Sequence, residues 1–176
     1  ESVPAFGKIV SNTENEVQVR ARFEGQISNV YRSLGDKVNA GDRLAVVDSN
    51  QSLTPYTITA PSSGTIIERQ AKAGEQTAGR ELFTILDTSS VWVDLAIFPG
   101  DLARVAVGAP VRIYVPTSEE PIDGSVAMFL PTATVNQSVT ARVVLNNPDG
   151  LLIPGMWANA QIHVDEYEVP LAVKRI

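Results

Sequence analysis

Chemistry at a protein site needs convergent reactive side chains, and this sequence is poor in the usual ones. It has one histidine, His163, two methionines, Met128 and Met156, and no cysteine. Without cysteine there are no disulfides, thiolate metal sites or cysteine nucleophiles. A soft or borderline metal ion wants several imidazole or sulfur ligands. His163, Met128 and Met156 are therefore weak metal candidates, and no metal site is expected. His163 sits between Ile162 and Val164, as an outward residue of a strand would, and Met156 follows Pro-Gly and is expected to pack. Serine is plentiful, but no Gly-x-Ser-x-Gly elbow occurs. Gly35, Gly41, Gly74 and Gly79 make no phosphate loop, since no helix follows to supply an N-terminus. Glu14, Glu16, Glu24, Asp36 and Asp42 read as turn and surface acids rather than a catalytic pair. Trp92 and Trp157 read as core or interdomain residues. No enzyme activity and no cofactor are expected.

The elements behind these residues are organised by a repeat. Ala21 to Asp48 laid on the chain from Ala60 onward, an offset of 39 with no gap, brings Gly25 onto Gly64 and Ile27 onto Ile66. The same shift brings Gly35 onto Gly74, Asp36 onto Glu75, Leu44 onto Phe83 and Asp48 onto Asp87. Two short β units that cannot each bury an apolar face should pack on each other. The chain has 176 residues, 44% hydrophobic and 19% charged, which suits a folded protein with one good core or two small ones. Its formal net charge of -6 speaks against nucleic acid and anionic lipid as partners. No apolar run approaches the ~18 residues of a membrane span. Glu1 in place of an initiator methionine points to a mature or trimmed chain.

Taken in order, Val3 to Val10 predicts a strand. Val17 to Phe23 alternates, with Val17, Val19, Ala21 and Phe23 on one face, the period of a half-buried strand. Gly-Asp turns then punctuate short apolar pieces, Ile27 to Tyr31 and Leu44 to Val47, and Thr57-Ile58-Thr59 repeats Gln18-Val19-Arg20. Ser49 to Pro55 is a polar joint between the copies. After Asp87 a different module begins with the strand Val91 to Phe98. Pro99 to Val105 has the length of one or two helical turns, with Asp101 near its start. Val111 to Val115, Gly124 to Leu130, Ser138 to Leu145 and Trp157 to Val164 bring the count to about five strands, enough for a small antiparallel barrel. Asn146-Asn-Pro-Asp-Gly150 reads as a hairpin turn.

These pieces resemble a known family. Gly25-Gln-Ile, Leu34-Gly-Asp-Lys-Val and Ala40-Gly-Asp-Arg-Leu are similar to the first half of a biotinyl/lipoyl-like domain. Ala60-Pro-Ser-Ser-Gly-Thr-Ile, Gly74-Glu and Leu82-Phe are similar to the second. Val91-Trp-Val and Leu145-Asn-Asn-Pro-Asp-Gly-Leu-Leu-Ile-Pro-Gly-Met156 resemble the barrel of periplasmic adaptors (membrane fusion proteins of the HlyD type) that serve resistance-nodulation-division pumps. Trp92 and Gly-Asp-Leu-Ala-Arg lean toward the heavy-metal and cation subfamily, and Val169-Pro-Leu-Ala-Val resembles the entry to a membrane-proximal domain.

The resemblance implies an all-β protein, with a biotinyl/lipoyl-like barrel-sandwich domain and an antiparallel β-barrel domain with one short helix. The expected division is 1–16 as an N-terminal strand of the barrel or membrane-proximal region, 17–88 as the lipoyl-like domain, 89–166 as the barrel, and 167–176 as the start of a membrane-proximal domain. Within 17–88 the halves are 17–48 and 56–88, joined by 49–55. The implied job is coupling an inner-membrane pump to an outer-membrane channel in the Gram-negative periplasm, as a self-associating ring anchored to the inner membrane, for metal cations. Most relatives place a long α-helical hairpin between the lipoyl halves. Here seven residues, Ser49 to Pro55, stand in its place, with no helical periodicity. Contact with a channel would then fall to Asn50, Gln51, Ser52, Leu53 and Thr54. Arg104 and Arg112, with Glu119 and Glu120, are candidate contacts for a pump or a neighbouring subunit. Two alternatives remain: a lipoyl or biotinyl carrier, for which only Lys37 and Lys72 lie near the turns, and a periplasmic metal-binding chaperone. The joint itself holds no lysine to carry a cofactor.

Overall fold

The computed structural model describes residues 1–51 and 54–164. In chain order the strands are β1 (Ser2–Ser11), β2 (Glu16–Arg20), β3 (Gly25–Val30), β4 (Lys37–Val38) and β5 (Arg43–Ser49). The second copy gives β6 (Tyr56–Thr59), β7 (Gly64–Arg69) and β8 (Glu81–Leu86). Beyond it lie β9 (Ser90–Ile97), the helix α1 (Pro99–Leu102), β10 (Pro110–Tyr114), β11 (Ile122–Ala133), β12 (Val139–Asn146) and β13 (Trp157–His163). Two compact units result: residues 12–89, and residues 1–11 together with the chain from Ser90 onward.

The unit of residues 12–89 is a sandwich of two sheets, β2-β8-β7-β4 and β3-β5-β6. Each sheet takes strands from both copies, so neither copy folds alone. The repeat is visible as an approximate two-fold in the hydrogen bonds. The Ile27 amide donates to the Glu75 carbonyl at 2.8 Å, and the Ile66 amide to the Asp36 carbonyl at 2.9 Å. Gly74 donates to Ile27, and Gly35 to Ile66. Lys37 pairs with Thr65, and Gln76 with Gln26.

The gap-free offset does not survive the structure. Up to Lys37 and Gln76 the copies correspond by 39 residues, but from Asn39 and Thr77 onward by 38. Gln26 pairs with Asp48, and Thr65 pairs with Leu86 (65 − 26 = 39, 86 − 48 = 38). Ala45 faces Ile58, and Phe83 faces Val19. The turn Asn39–Asp42 matches the turn Thr77–Arg80, each closed by an amide-to-carbonyl bond at 3.0 Å. Leu44 therefore corresponds to Leu82, not Phe83, and Asp48 to Leu86, not Asp87. Leu44 and Leu82 are both fully buried, each where its strand skips a residue against the edge strand beside it. One residue is lost where the chain enters this turn, beside the buried Val38 and Thr77.

A second correction concerns β2, which ends at Arg20 although the alternation runs on to Phe23. Phe23 is 47% exposed, and its ring meets Tyr56 edge-on at 5.9 Å. The Tyr56 hydroxyl accepts from the Phe23 amide and donates to the Phe23 carbonyl, which draws the chain out of the sheet.

The other unit is a closed barrel of six strands in the order β1-β13-β10-β11-β12-β9. The sixth strand is β1, ahead of the repeat in sequence, which pairs with both β9 and β13. Val3, Ala5 and Ile9 point inward and Ser2, Pro4, Phe6 and Lys8 outward, so one strand covers the core with period two. Val91, Val93, Leu95 and Ile97 of β9 meet them from the next strand. The segment Asn146–Gly150 turns the chain, with Gly150 donating to Asn147 at 3.2 Å, but it makes no hairpin. Its flanking strands are not neighbours: β12 pairs with β11 and β9, whereas β13 pairs with β1 and β10. Instead residues 147–156 cross one end of the barrel. The buried Asn147 holds them there, its side chain accepting from the Leu152 amide at 2.9 Å and donating to the Leu152 carbonyl at 3.0 Å. A turn sequence fixes a reversal, while strand partners are set by which apolar faces close the core.

Candidate docking surface and the joint between the halves

Register lines up a row of large side chains on the outside of the barrel. From β11 to β13 it runs Met128, Arg142, Asp94, Lys8 and Trp157. Arg142 donates through Nε and Nη2 to the two oxygens of Asp94, both at 2.8 Å. Its guanidinium lies 3.9 Å from the centroid of the Trp92 ring. Only 16% and 21% of these two charged side chains is exposed, so water screens the pair weakly. At the far end the Lys8 ammonium lies 4.7 Å from the centroid of Trp157, which is 64% exposed. The adjoining row carries Phe6 and Tyr114, both exposed, and Phe6 meets Phe98 at 6.1 Å.

This wall corrects the reading of the tryptophans. Trp92 and Trp157 both stand on the outward parity of their strands, Trp92 half-buried beneath Arg142 and Trp157 open. Size and apolarity suggest a core or interdomain place for each, but strand parity decides the face. Phe6 and Lys8 share that outward parity on β1. Their positions opposite Val3, Ala5 and Ile9 carried the signal. Exposed Trp, Tyr and Arg side chains are the ones that dominate protein interfaces, which makes this wall a candidate docking surface.

The arginines named from the sequence stand elsewhere on the barrel. Arg104, just beyond α1, pairs with Glu1 at 2.7 Å and with Asp101 at 3.2 Å. Arg112 on β10 pairs with Asp123 at 3.2 Å. A partner's carboxylate at either arginine must compete with these acids. Glu119 and Glu120 are exposed in the connection from β10 to β11.

The metal candidates are spread along the barrel. His163 is at the exposed end of β13, and Met128 lies two strands away and three residues along, about 14 Å by strand geometry. Met156 packs against the core at the opposite end of β13, about 23 Å from His163 by strand geometry. Ligands of one ion each lie within ~2.3 Å of it, so these three cannot share one. No cluster of three His, Asp or Glu able to hold a metal occurs among the described residues.

At the joint, the Asn50 amide donates to the Glu24 carbonyl at 3.0 Å and the Gln51 amide to Ser49 Oγ at 3.2 Å. Asn50, Gln51 and Thr54 are exposed; Ser52 and Leu53 lie outside the described residues, as does the expected membrane-proximal start at 167–176. Six residues separate β5 from β6, too few for a helical hairpin. Lys37 on β4 and Lys72 are both exposed and both lie away from this joint.

Comparison with known proteins agrees with this geometry. Residues 15–87 match the model of the CzcB-like barrel-sandwich hybrid domain, and residues 90–166 that of the CusB-like β-barrel domain. The cation efflux system protein CzcB of Alcaligenes sp. (strain CT14) is 32% identical over 142 residues, 77% of this chain and 27% of that protein. The cobalt-zinc-cadmium resistance protein CzcB of Cupriavidus metallidurans matches to the same extent. The chain thus spans about a quarter of the length of these relatives. In fold it is similar to ZneB from Cupriavidus metallidurans, with a TM-score of 0.70 and 19% identity over 93% of this chain and 98% of that one. MacA from Actinobacillus actinomycetemcomitans superposes with a TM-score of 0.71 and 19% identity, over 94% of this chain and 79% of that one. With its hybrid domain followed by its barrel and no hairpin in the first, the chain belongs to the heavy-metal branch of the periplasmic adaptors, or membrane fusion proteins, of resistance-nodulation-division efflux systems.

Proposed function

We propose that the chain acts as an adaptor in the efflux of metal cations, coupling an inner-membrane pump to an outer-membrane channel in the periplasm of a Gram-negative bacterium. The observation that carries the reading is the pair of domain matches in family order together with the 32% identity to two CzcB proteins. The names of those relatives favour divalent cobalt, zinc and cadmium as the cargo. Adaptors are not enzymes, and the mechanism is mechanical: a rigid closed barrel presents a docking wall while the hybrid domain takes part in a ring. The wall around Trp157, Lys8 and Phe6 is the pump-facing surface, and Arg104 and Arg112, elsewhere on the barrel, contact the pump or a neighbouring subunit. The exposed joint at Asn50, Gln51 and Thr54 serves the channel side in place of a hairpin.

The test is metal resistance in a strain deleted for the gene that encodes the chain. Loss of zinc, cobalt or cadmium tolerance on deletion, restored by the full gene, is the expected result. Trp157→Ala should restore it poorly while leaving the barrel folded, since truncating a central aromatic at an interface costs ~2 kcal/mol, roughly 30-fold in affinity. Unchanged tolerance to all three metals on deletion would sink the proposal.

A further inference from the structure

The two copies of the repeat act as each other's control. A residue the fold requires should recur at the equivalent position, and one that does not recur answers to something else. At Tyr31, Arg32, Asp42 and Arg43 the copies part. Their equivalents are Gln70, Ala71, Arg80 and Glu81 (31 + 39, 32 + 39, 42 + 38, 43 + 38). In the second copy the charges are matched: Arg80 pairs with Glu75 at 3.2 Å, and Glu81 with Arg20 at 2.6 Å.

In the first copy Arg32 pairs with Asp42, but Arg43 has no such partner among the described residues. Tyr31, Arg32, Gly41, Asp42 and Arg43 line a surface cleft of about 450 Å³. Arg43 lies over the Tyr31 ring at 5.2 Å and has no ion pair among the described residues. Arg32 reaches one carboxylate, Asp42, at 3.4 Å, through an oxygen that also accepts the Asn39 amide at 3.0 Å. The Arg32 Nε is buried and has no acceptor among the described residues. Arg69 donates to the Arg32 carbonyl at 3.4 Å, which sets a third guanidinium alongside. The nearby acids are Asp42 and Asp36, and Asp36 is held by the Ser33 amide at 2.8 Å. A buried donor left without an acceptor is costly and asks for an explanation. Here it coincides with an excess of cations, in a chain whose net charge is -6.

We propose that this cleft binds an oxyanion, a carboxylate or a phosphate, between Arg32 and Arg43. Guanidinium groups bind both by paired N–H donors, and the Tyr31 ring holds Arg43 in place for that contact. The second copy, built on the same backbone, lacks the arginines and has no such site.

Amide and arginine side-chain NMR signals of the ¹⁵N-labelled chain, followed at fixed ionic strength, test this. The probes are sodium phosphate, sodium citrate and, as the charge control, sodium chloride. Saturable shifts at Arg32 Hε and at the amides of Tyr31, Asp42 and Arg43 are expected with phosphate, citrate or both, and not with chloride. Which salt saturates at lower concentration identifies the preferred oxyanion. Arg43→Gln should weaken the response by about tenfold, while Arg20→Gln, at a paired arginine of the same unit, should leave it unchanged. Arg69→Gln, on an exposed side chain, repeats the test should Arg43→Gln disturb the fold. Shifts that never saturate, that chloride reproduces, or that survive both Arg43→Gln and Arg69→Gln overturn the proposal. That outcome leaves the adaptor reading intact, since the adaptor test reads metal resistance.

Discussion

Gly25 and Gly64 offer a measurement of the fold's internal symmetry. They begin the equivalent strands β3 and β7, and both lie against a carbonyl of the strand beside them. A Cβ on Gly25 would stand 2.2 Å from the Asp48 oxygen and 2.8 Å from Val47 Cγ1. A Cβ on Gly64 would stand 2.6 Å from the Leu86 oxygen and 2.8 Å from Ile85 Cγ2. Ordinary contact begins near 3.4 Å, so the strands must part by 3.4 − 2.2 = 1.2 Å in the first case and 3.4 − 2.6 = 0.8 Å in the second. Gly25 has less freedom to retreat as well. Its amide donates to Thr77 Oγ1 at 3.1 Å and its carbonyl accepts from the Thr77 amide at 2.9 Å, and Thr77 is itself fully buried. Overpacking of this kind costs ~1–3 kcal/mol, so Gly25→Ala belongs near ~3 and Gly64→Ala near ~2. Restricting the unfolded chain returns ~0.4–1 kcal/mol to each alike, which leaves the order intact. A unit of this size has roughly 4–12 kcal/mol in all, so either change is large.

Urea unfolding reads the two units separately. Both tryptophans, Trp92 and Trp157, lie in the barrel, so tryptophan fluorescence follows that unit alone. Far-ultraviolet circular dichroism follows both. Gly25→Ala should lower the midpoint of the hybrid unit by roughly 1–2 M and leave the fluorescence transition in place. If Gly64→Ala proved as costly as Gly25→Ala, or if the barrel transition moved with either, the two-fold argument would fail.

Other consequences are open to the same methods. Arg142→Met removes the paired donors from Asp94 and should cost the barrel ~2–3 kcal/mol, while the further change Asp94→Leu should recover most of the loss; thermal unfolding of the three variants decides. Because Arg142 covers Trp92, its removal should also shift that residue's emission. Asn147→Ala breaks both bonds to Leu152 beneath the barrel-end crossing and should cost ~1–3 kcal/mol in the fluorescence-detected transition. Lengthening the joint by about ten Gly/Ser residues between Gln51 and Thr54 should cost only ~1 kcal/mol by loop closure, measured by circular dichroism.

The strands and their inward faces were legible because period-two alternation is enforced by burial. Val3, Val19, Ile27, Val93 and Ile162 each sit inside as the alternation requires. Other features were less legible. The offset of 39 runs through Thr77 without a visible gap because the lost residue falls where the chain enters a turn. Asn146–Gly150 has the composition of a hairpin turn, but partner choice depends on β1, more than 130 residues earlier in the chain. Trp92 and Trp157 were judged by size when parity was the better guide. The basic cleft at Arg32 and Arg43 lies where the copies differ, at the positions of Ala71 and Glu81, so the likeness of the repeat does not reveal it.

The same symmetry explains why so short a joint can stand where relatives carry a hairpin. In the two-fold, β6 corresponds to β2 and β5 to β8, so the β5–β6 connection corresponds to the gap between β8 and β2. That gap is where the chain arrives from β1 through Ser11 and departs to β9 through Asp87. One end of this strand pair therefore already carries an entire folded barrel, 1–11 with the chain from Ser90 onward, without loss of the sheet. Its equivalent at Asn50 to Pro55 is bound by the same pairings, Val47 to Tyr56 on one side and Ile85 to Val17 on the other. The fold consequently sets the ends of the joint, not its length.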